Sequence, residues 1–250
     1  MFIPKQNSHK GENGKILVIA GSKRYHGSAI LAIKAAIPFV DIVYYYPPQL
    51  DPFLINAVKN IPEVIVIYDY KEILSDVDAI LIGPGIANIK IPLERFRNKK
   101  RVIDGDGLKQ ISRNVVDKKA VLTPHAKEFE RTFIAKPTKE NVMEMARYYN
   151  TNILLKGFID YLSDGKRVVE NIMGNAGLTK GGTGDALAGF TTAIIAKNDV
   201  FEGTFFAVEV FCKVGDELFN EKGYYYTPSE VINRLPYMVK KEMEMRKNEH

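Results

Sequence analysis

The amino-acid sequence predicts an α/β fold, a three-layer α/β/α sandwich built around a mostly parallel central sheet. Short apolar runs rich in Ile, Val and Tyr recur along the chain without alternating polar positions, which is typical of parallel strands buried on both faces. Helical segments or loops separate these runs, and helices gather after them. A chain of 250 residues buries about three quarters of its surface, enough for one large core. We therefore expect a single domain over residues 1–250.

The strands are predicted from the apolar runs themselves. In chain order the predicted parallel strands are Lys15–Ala20, Ile42–Tyr46, Val64–Tyr68, Ala79–Ile82, Arg101–Ile103, Ala120–Leu122 and Asn152–Leu155. A hairpin of Ile159–Ser163 and Lys166–Asn171 is expected next, because these runs flank Asp164-Gly165. Such a pair suits a two-residue type I′ turn.

Three helices are predicted in the last third of the chain. Residues 186–196 are apolar on nearly all sides, which predicts a buried central helix. Residues 207–218 repeat apolar side chains at helical spacing. Thr227, Pro228 and Glu230 predict a further helix start, with Thr227 as the cap, Pro228 in the first turn and Glu230 completing a capping box.

Composition excludes several classes of protein. Cys212 is the one cysteine, which excludes an intramolecular disulfide and a multi-cysteine zinc or iron–sulfur site. No apolar run approaches the ~20 residues of a membrane helix, and the first residues carry no hydrophobic secretion signal. We therefore expect a cytoplasmic protein without a membrane partner.

The charge balance points to a small ligand more than to a polymer. The net charge of +5 comes from 35 Lys and Arg residues against 30 Asp and Glu residues, and the basic residues are scattered. A nucleic-acid-binding surface usually gathers such charge into a patch or stripe, so we expect no nucleic-acid partner. A modest positive field also suits a small ligand that carries phosphate.

The strongest local motif is a glycine-rich segment, Gly181-Gly182-Thr183-Gly184-Asp185, directly before the apolar helix. Glycines let the backbone aim successive N–H groups into one concavity, and a helix start adds its own N–H groups and positive dipole end. The segment therefore predicts an anion hole for phosphate. We expect the dipole to favour ionised Asp185, which could then take a proton from a hydroxyl that attacks the phosphate. The alternative is a plain glycine-rich loop with a capping Asp185.

Two better-known phosphate motifs, the P-loop and the dinucleotide-binding Gly-x-Gly-x-x-Gly turn after a strand, are absent. Five other segments place Gly, Asp, His or Lys at the carboxyl ends of predicted strands, where open α/β sheets bind ligands. In chain order these segments are residues 20–29, Gly83–Gly85, Asp104–Gly107, Thr123–Glu128 and Lys156-Gly157. The carboxylates of Asp104 and Asp106 could hold a metal or a ribose. Each segment alone also fits a structural role, as a tight turn, a structural histidine or a solvated lysine.

Together these motifs resemble a known family, the ADP/ATP-dependent NAD(P)H-hydrate dehydratases of the ribokinase-like superfamily. The matching pieces are, in chain order, Ser8–Gly11, Leu17–Ser22, Ile82–Gly85, Leu122–His125 with Glu128-Phe129, Leu155–Gly157, Gly174–Gly177 and Gly181–Asp185. Gly-Gly-x-Gly-Asp marks the superfamily, whereas Thr-Pro-His-x-x-Glu-Phe together with Gly-Asn-x-Gly is much more specific. The epimerase domain that often precedes this domain in the family is expected to be absent.

The resemblance implies a repair reaction on NADH or NADPH that has been hydrated on the nicotinamide ring (NADHX or NADPHX). The ring hydroxyl attacks the terminal phosphate of ADP or ATP, and the phosphorylated intermediate then eliminates phosphate. Asp185 is implied as the base for that hydroxyl. The anion hole of Gly181, Gly182, Thr183 and Gly184 is implied to stabilise charge on the phosphoryl group.

The resemblance also implies binding residues and an assembly. The nucleotide-binding residues are Lys156, Gly157, Phe158, Ile159, Asp160 and Gly184, and the residues that contact the hydrated dinucleotide are Ala29, Gly85, His125 and Asp185. Mg²⁺ is expected to be carried by the nucleotide phosphates. ADP is favoured as the donor, and a homo-oligomer is favoured as the assembly.

The sequence departs from the family pattern at three positions. The family usually has Ala-x-Thr after the Lys-Gly pair, where this chain has Phe158-Ile159-Asp160, and a carboxylate is an uncomfortable neighbour for an anionic nucleotide. A frequent Asp-Ala-Asp-Ala-Leu becomes Asp104-Gly105-Asp106-Gly107-Leu108, which keeps both carboxylates. Lys180 precedes the glycines where a small or polar residue is expected, and it could contact phosphate or point to solvent.

Two other functions compete with the dehydratase. A small-molecule kinase of the same superfamily, acting for example on a vitamin alcohol, would use the same Asp185 and anion hole but release a stable phosphate ester. Thr123-Pro124-His125 argues against it. A non-catalytic nucleotide-binding or nucleic-acid-binding protein is the third hypothesis, and the intact Gly-Gly-Thr-Gly-Asp segment argues against that.

Overall fold

The structure, a computed structural model, describes residues 1–248. Within them, nine strands form one sheet in the order β3-β2-β1-β4-β5-β6-β7-β8-β9. All neighbouring pairs are parallel except β7–β8 and β8–β9. The strands are β1 (Lys15–Ile19), β2 (Ile42–Tyr45), β3 (Val64–Val66), β4 (Ala79–Ile82), β5 (Lys100–Ile103), β6 (Ala120–Leu122), β7 (Asn152–Leu155), β8 (Asp160–Ser163) and β9 (Val168–Asn171).

Helices cover both faces of the sheet, as predicted. The helices are α1 (His26–Ala36), α2 (Pro52–Lys59), α3 (Ala126–Phe133), α4 (Lys139–Tyr149), α5 (Thr183–Lys197), α6 (Val200–Lys222) and α7 (Pro228–Asn248). Alternate residues of one strand pack into different hydrophobic cores, one on each face of the sheet. Ile16 and Val18 of β1 pack into the core with α1, α2, α5, α6 and α7, whereas Leu17 and Ile19 pack into the core with α3 and α4. The three-layer α/β/α fold class is therefore confirmed.

All seven predicted parallel strands are present, and Ala79–Ile82, Ala120–Leu122 and Asn152–Leu155 have the predicted bounds. The strand predicted over Val64–Tyr68 ends at Val66 instead. It pairs with β2 alone and forms one edge of the sheet. Burial on both faces is therefore wrong for β3, where Ile65 is 43% exposed.

The hairpin of β8 and β9 is present, but its turn differs from the predicted type. A type I′ turn needs two residues with positive φ, and only Gly165, at φ +83°, has one. Ser163 pairs with Val168, so four residues form the loop. The Asp164 carboxylate accepts hydrogen bonds from the N–H groups of the two residues after Gly165, at 2.8 and 3.0 Å. This side chain closes a longer loop than the dipeptide predicted.

The helix predictions hold in the last third of the chain. Residues 186–196 lie within α5 and are all buried. A Cβ on Gly189 would lie 2.1 Å from the carbonyl oxygen of Ala32, so glycine lets α5 pack directly on α1. Glu230 accepts from the Thr227 N–H at 2.8 Å, and the Thr227 hydroxyl accepts from the Glu230 N–H at 3.3 Å, which confirms the capping box.

Part of the positive charge lies inside the fold. The Lys100 ammonium donates to the carbonyl oxygens of Ile195 and Asn198 at the end of α5, at 3.1 and 2.7 Å. Arg101 is fully buried and contacts Asp117 at 3.2 Å. These side chains bind helix and loop ends, so they do not add to a basic surface patch. Within residues 1–248, no helix combines the length and apolarity needed to cross a lipid bilayer.

Candidate active site

The segments that follow β4, β5, β6 and β7 lie side by side because the parallel hydrogen bonding continues past the strands. Asp104 donates its N–H to the carbonyl of Ile82 at 3.1 Å, and Lys156 donates its N–H to that of Pro124 at 2.9 Å. Thr123 continues the ladder from β6 in the same way. Polar residues distant in sequence therefore meet at one edge of the sheet, as the strand-end motifs predicted.

The glycine-rich segment forms the start of α5. Gly182 is the N-cap residue with φ +91°, and a Cβ there would lie 2.3 Å from a methyl carbon of Leu31. Within residues 1–248, the N–H groups of Gly181, Gly182 and Gly184 have no hydrogen-bond partner, whereas the Thr183 N–H donates to the carbonyl of Lys180 at 3.1 Å. Three of the four predicted donors are therefore available to an anion, and that of Thr183 is already used.

Asp185 lies in the first turn of α5 and is half-buried. Burial raises the pKa of this carboxyl, repulsion by Asp104 raises it further, and Glu128 adds to the rise, whereas the Ser28 hydroxyl and the Lys156 ammonium lower it. The resulting pKa is about 6. That the helix dipole favours the ionised form stays a prediction, and burial and Asp104 act against that form. A carboxylate with this pKa is a stronger base than an ordinary aspartate and is still mostly ionised at neutral pH.

Lys156 reaches from the end of β7 to the start of α5. Its ammonium bonds to Oδ1 of Asp104 at 2.7 Å and lies 3.4 Å from where a Cβ on Gly184 would be. Burial lowers the pKa of Lys156, but attraction and hydrogen bonding to Asp104, with attraction to Glu128 and Asp185, raise it above its ordinary value. The lysine therefore remains a fixed positive charge beside the glycine segment.

His125 has the predicted position and also a structural role. It is the N-cap of α3, and its imidazole Nδ1 accepts from the Glu128 N–H at 3.4 Å while Glu128 accepts from the His125 N–H at 2.9 Å. Its backbone bridges to Lys156. The side chain is 53% exposed, so one residue both starts a helix and offers a ring to a ligand.

Ala29 and Gly85 both lie near the loop that joins β1 to α1. Gly85 has φ +65°, and a Cβ there would lie 2.7 Å from the Ser28 hydroxyl. Its partly exposed backbone thus packs against the first turn of α1. Ala29 is fully buried in the same turn, so the structure offers a ligand no surface of Ala29. Its predicted contact stays a prediction that requires the loop to move.

The segment from Lys156 to Asp160 splits into an exposed part and a buried part. Phe158 is 97% exposed, whereas the Asp160 carboxylate is buried and accepts from the Gly157 N–H at 3.0 Å and from the Asn171 amide at 2.9 Å. Burial raises the pKa of Asp160. The carboxylate that departs from the family pattern therefore faces the interior and holds the loop, and the predicted nucleotide contact of its side chain stays untested.

Lys180 neither enters the anion hole nor points freely to solvent. Its ammonium donates to the carbonyl of Tyr224 and lies 5.1 Å from the centre of the Tyr226 ring. The Tyr226 hydroxyl donates to Asn175 at 2.7 Å. Lys180 thus ties the glycine-rich segment to the turn between α6 and α7.

Sequence reasoning missed two residues that shape the site. Ser28 opposes the raised pKa of Asp185, and its place directly before Ala29 was an available signal. Asp216 of α6 accepts from the Gly174 N–H and from the Asn175 amide, both at 2.9 Å. It thereby fixes the turn that leads to the glycine-rich segment.

No three His, Cys, Asp or Glu side chains of residues 1–248 gather in a metal-binding arrangement. Asp106, one of the two candidate metal or ribose ligands, pairs instead with Lys109 at 2.5 Å. Asp104 forms an ion pair with Lys156.

Comparison with known proteins gives a consistent result. The profile of the NAD(P)H-hydrate dehydratase family matches residues 16–237. The chain is 37% identical to the bifunctional NAD(P)H-hydrate repair enzyme of Methanocaldococcus jannaschii, over 94% of this chain and 50% of that protein. It is 30% identical to the ADP-dependent (S)-NAD(P)H-hydrate dehydratase of Listeria monocytogenes, over 96% of this chain and 93% of that protein. The chain thus spans about half the length of the first relative and nearly all of the second.

A solved structure shares the fold. The ADP/ATP-dependent NAD(P)H-hydrate dehydratase from Bacillus subtilis, co-crystallized with ATP/Mg²⁺, superposes with a TM-score of 0.83 at 24% identity. The match covers 96% of this chain and 94% of that one. This likeness shows that the two chains share one fold.

Proposed function

The chain belongs to the NAD(P)H-hydrate dehydratase family, and from that premise we propose that it is an ADP-dependent (S)-NAD(P)H-hydrate dehydratase. One observation carries the proposal. A half-buried carboxyl with a pKa of about 6, Asp185, lies beside the free N–H group of Gly184 and the ammonium of Lys156. This is the combination of base and anion hole that phosphoryl transfer to a hydroxyl requires.

In the first step Asp185 takes the proton of the ring hydroxyl of NADHX or NADPHX. The hydroxyl oxygen forms a bond to the terminal phosphorus of the nucleotide, and the bond from that phosphorus to its bridging oxygen breaks. AMP leaves when ADP is the donor, and ADP leaves when ATP is the donor. The N–H groups of Gly182 and Gly184 are the donors that would stabilise the charge on the phosphoryl oxygens.

In the second step the phosphorylated ring loses phosphate. The carbon–oxygen bond breaks, phosphate leaves with the electron pair, and a proton leaves the neighbouring ring carbon to form the double bond of NADH or NADPH. We expect the same positive charge and N–H donors to stabilise the departing phosphate.

The nucleotide would lie along Lys156 and the exposed backbone after it. Lys156 supplies a point charge for phosphate, and the exposed ring of Phe158 offers an apolar surface to a base. Asp160 would act indirectly, because its buried carboxylate holds the Gly157 N–H. Mg²⁺ carried on the phosphates would neutralise their charge when bound.

The hydrated dinucleotide would contact His125, with its half-exposed ring, and the partly exposed backbone of Gly85. Ala29 would contribute only after movement of the loop that precedes α1. We further propose that the protein acts in the cytoplasm, where its substrates are used, and that it binds neither nucleic acid nor membrane. We also propose that it forms a homo-oligomer, which light scattering would measure.

A repair assay tests the proposed function. Purified protein is incubated with NADHX or NADPHX and Mg²⁺, with ADP, ATP or no nucleotide, and the absorbance of the restored reduced cofactor is followed. Nucleotide-dependent recovery is expected, and the active nucleotide names the donor. Protein that binds ADP but restores no cofactor would contradict the proposal and favour the kinase, which a screen of alcohols for stable phosphate esters would detect.

A further inference from the structure

The carboxylate of Asp104 lies at the meeting point of three strand ends. We propose that Asp104 is a positioning residue that holds the Lys156 ammonium against the start of α5, where the pair sets the charge around Asp185. The catalytic consequence rests on the proposed function, whereas the placement of the charges does not.

The contacts of Asp104 keep it away from any ligand. Its Oδ1 accepts from the Thr123 hydroxyl and from the Lys156 ammonium, both at 2.7 Å. Its side chain is only 5% exposed. A carboxylate that is buried and already bonded twice on one oxygen acts through its partners and not by touching substrate.

The backbone of Asp104 is held from the neighbouring strand. Gly83 follows β4 with φ +119°, and a Cβ there would lie 2.0 Å from the carbonyl oxygen of Asp104. Only glycine allows this approach. Asp104 therefore has a fixed position relative to the ends of both β4 and β6.

Lys156 gains its direction from this anchor. A lysine side chain is a flexible four-carbon stem whose ammonium otherwise samples many positions. Bonding to Asp104 keeps the ammonium 3.4 Å from the Cβ position of Gly184, a residue whose N–H has no hydrogen-bond partner within residues 1–248. The charge is thereby aimed at the place where a phosphoryl group would be transferred.

The charged groups that face Asp185 come from four parts of the fold. Asp104 and Glu128 disfavour its ionised form, whereas Lys156 and the Ser28 hydroxyl favour that form. Of the charges, Asp104 has the largest effect. Removing its charge without removing its shape should make Asp185 a weaker base and lower its pKa by about one pH unit.

The test is Asp104→Asn, which keeps an oxygen for Thr123 and Lys156 but removes the charge. The acid limb of kcat/KM is expected to move to lower pH by about one unit. The kcat is expected to fall about 10-fold to 100-fold because a neutral amide oxygen holds the ammonium less firmly than a carboxylate does. The KM for ADP should not rise, since a negative charge near an anionic ligand has been removed.

Asp106→Asn is the matched control. Asp106 lies two residues away in the same turn and pairs with Lys109, not with Lys156. This variant should leave the acid limb and kcat unchanged. Thr123→Val is the second variant, because it keeps the charge of Asp104 and removes one of its bonds. It should lower kcat while the acid limb stays in place.

A readout without substrate separates this inference from the proposed function. Carbon-13 NMR of labelled aspartates, assigned with Asp185→Asn, gives the Asp185 titration directly in wild type and in Asp104→Asn. A lower pKa in the variant supports the inference even if the wild type repairs no NADHX. An unchanged Asp185 titration, or an increased KM for ADP with unchanged kcat, would overturn it. If Asp104→Asn does not fold, as judged by circular dichroism, an unchanged kcat in Thr123→Val would overturn it.

Discussion

Replacing Asp185 with asparagine removes the proposed base while keeping the size of the side chain. Asparagine cannot accept the hydroxyl proton, and a general base typically contributes about 10²–10⁴-fold to the rate. The Asp185→Asn variant should therefore lose that factor in kcat/KM, about 3–5 kcal/mol of the activation barrier. ADP binding should be retained, since Lys156 and the N–H groups of the glycine segment are untouched.

The same substitution should stabilise the protein, and the structure gives the size and pH range of the effect. The pKa of Asp185 rises from 3.8 to about 6 on folding, so the folded state holds its proton more tightly than the unfolded state. Stability therefore falls as pH increases from about 4 to about 6. Above this range the ionised carboxyl lowers the free energy of unfolding by at most about 3 kcal/mol. Partial exposure of the side chain to solvent screens the charge and makes this loss smaller.

Urea unfolding of wild type and Asp185→Asn at pH 4 and pH 8, with repair assays at pH 8, measures both effects. We expect the free energy of unfolding of Asp185→Asn to exceed that of wild type at pH 8 and nearly to equal it at pH 4. We also expect the variant to lose its repair activity. A variant that keeps its turnover would refute the assignment of the base. Equal stability gains at both pH values would refute the electrostatic account of its pKa.

Three further predictions concern the same site. Gly182→Ala should destabilise the fold by about 1–3 kcal/mol and weaken ADP binding, because φ is +91° and Leu31 blocks a Cβ. Calorimetry measures both effects. Gly181→Ala is the control for stability, because a Cβ there meets no atom within 4 Å. Asp160→Ala should cost about 1–3 kcal/mol in urea unfolding, because the Gly157 N–H loses its buried partner. Wild-type kcat/KM should rise about tenfold per pH unit up to about 6 and then level off, since the base must be ionised; a flat profile between pH 5 and 8 would contradict this.

The sheet was predictable because burial on both faces leaves a direct trace in the sequence. Runs such as Ala79–Ile82 are uniformly apolar because helices cover both sides of the strand. The errors lie where side chains decide local geometry. The turn after β8 depends on hydrogen bonds to the Asp164 carboxylate, and such bonds are not visible in the dipeptide Asp164-Gly165.

The glycine-rich start of α5 was predictable from local sequence, but the electrostatic surroundings of Asp185 were not. Glycines before an apolar helix are a local signal, whereas the pKa of Asp185 depends on burial and on Asp104, which comes from another strand end. The inward orientation of Asp160 likewise depends on Asn171, its partner across the hairpin. Sequence predicts which residues reach the site edge, and packing decides which of them face a ligand.

The fate of the ring hydroxyl oxygen tests the central claim most directly. NADHX formed in ¹⁸O-labelled water carries the label on that hydroxyl, and the products of one repair reaction with ADP are analysed by mass spectrometry. Phosphorylation of the hydroxyl followed by elimination predicts ¹⁸O in the released phosphate, one labelled oxygen for each cofactor restored. Label recovered in water, with unlabelled phosphate, would contradict phosphoryl transfer to the substrate and with it the assigned role of Asp185.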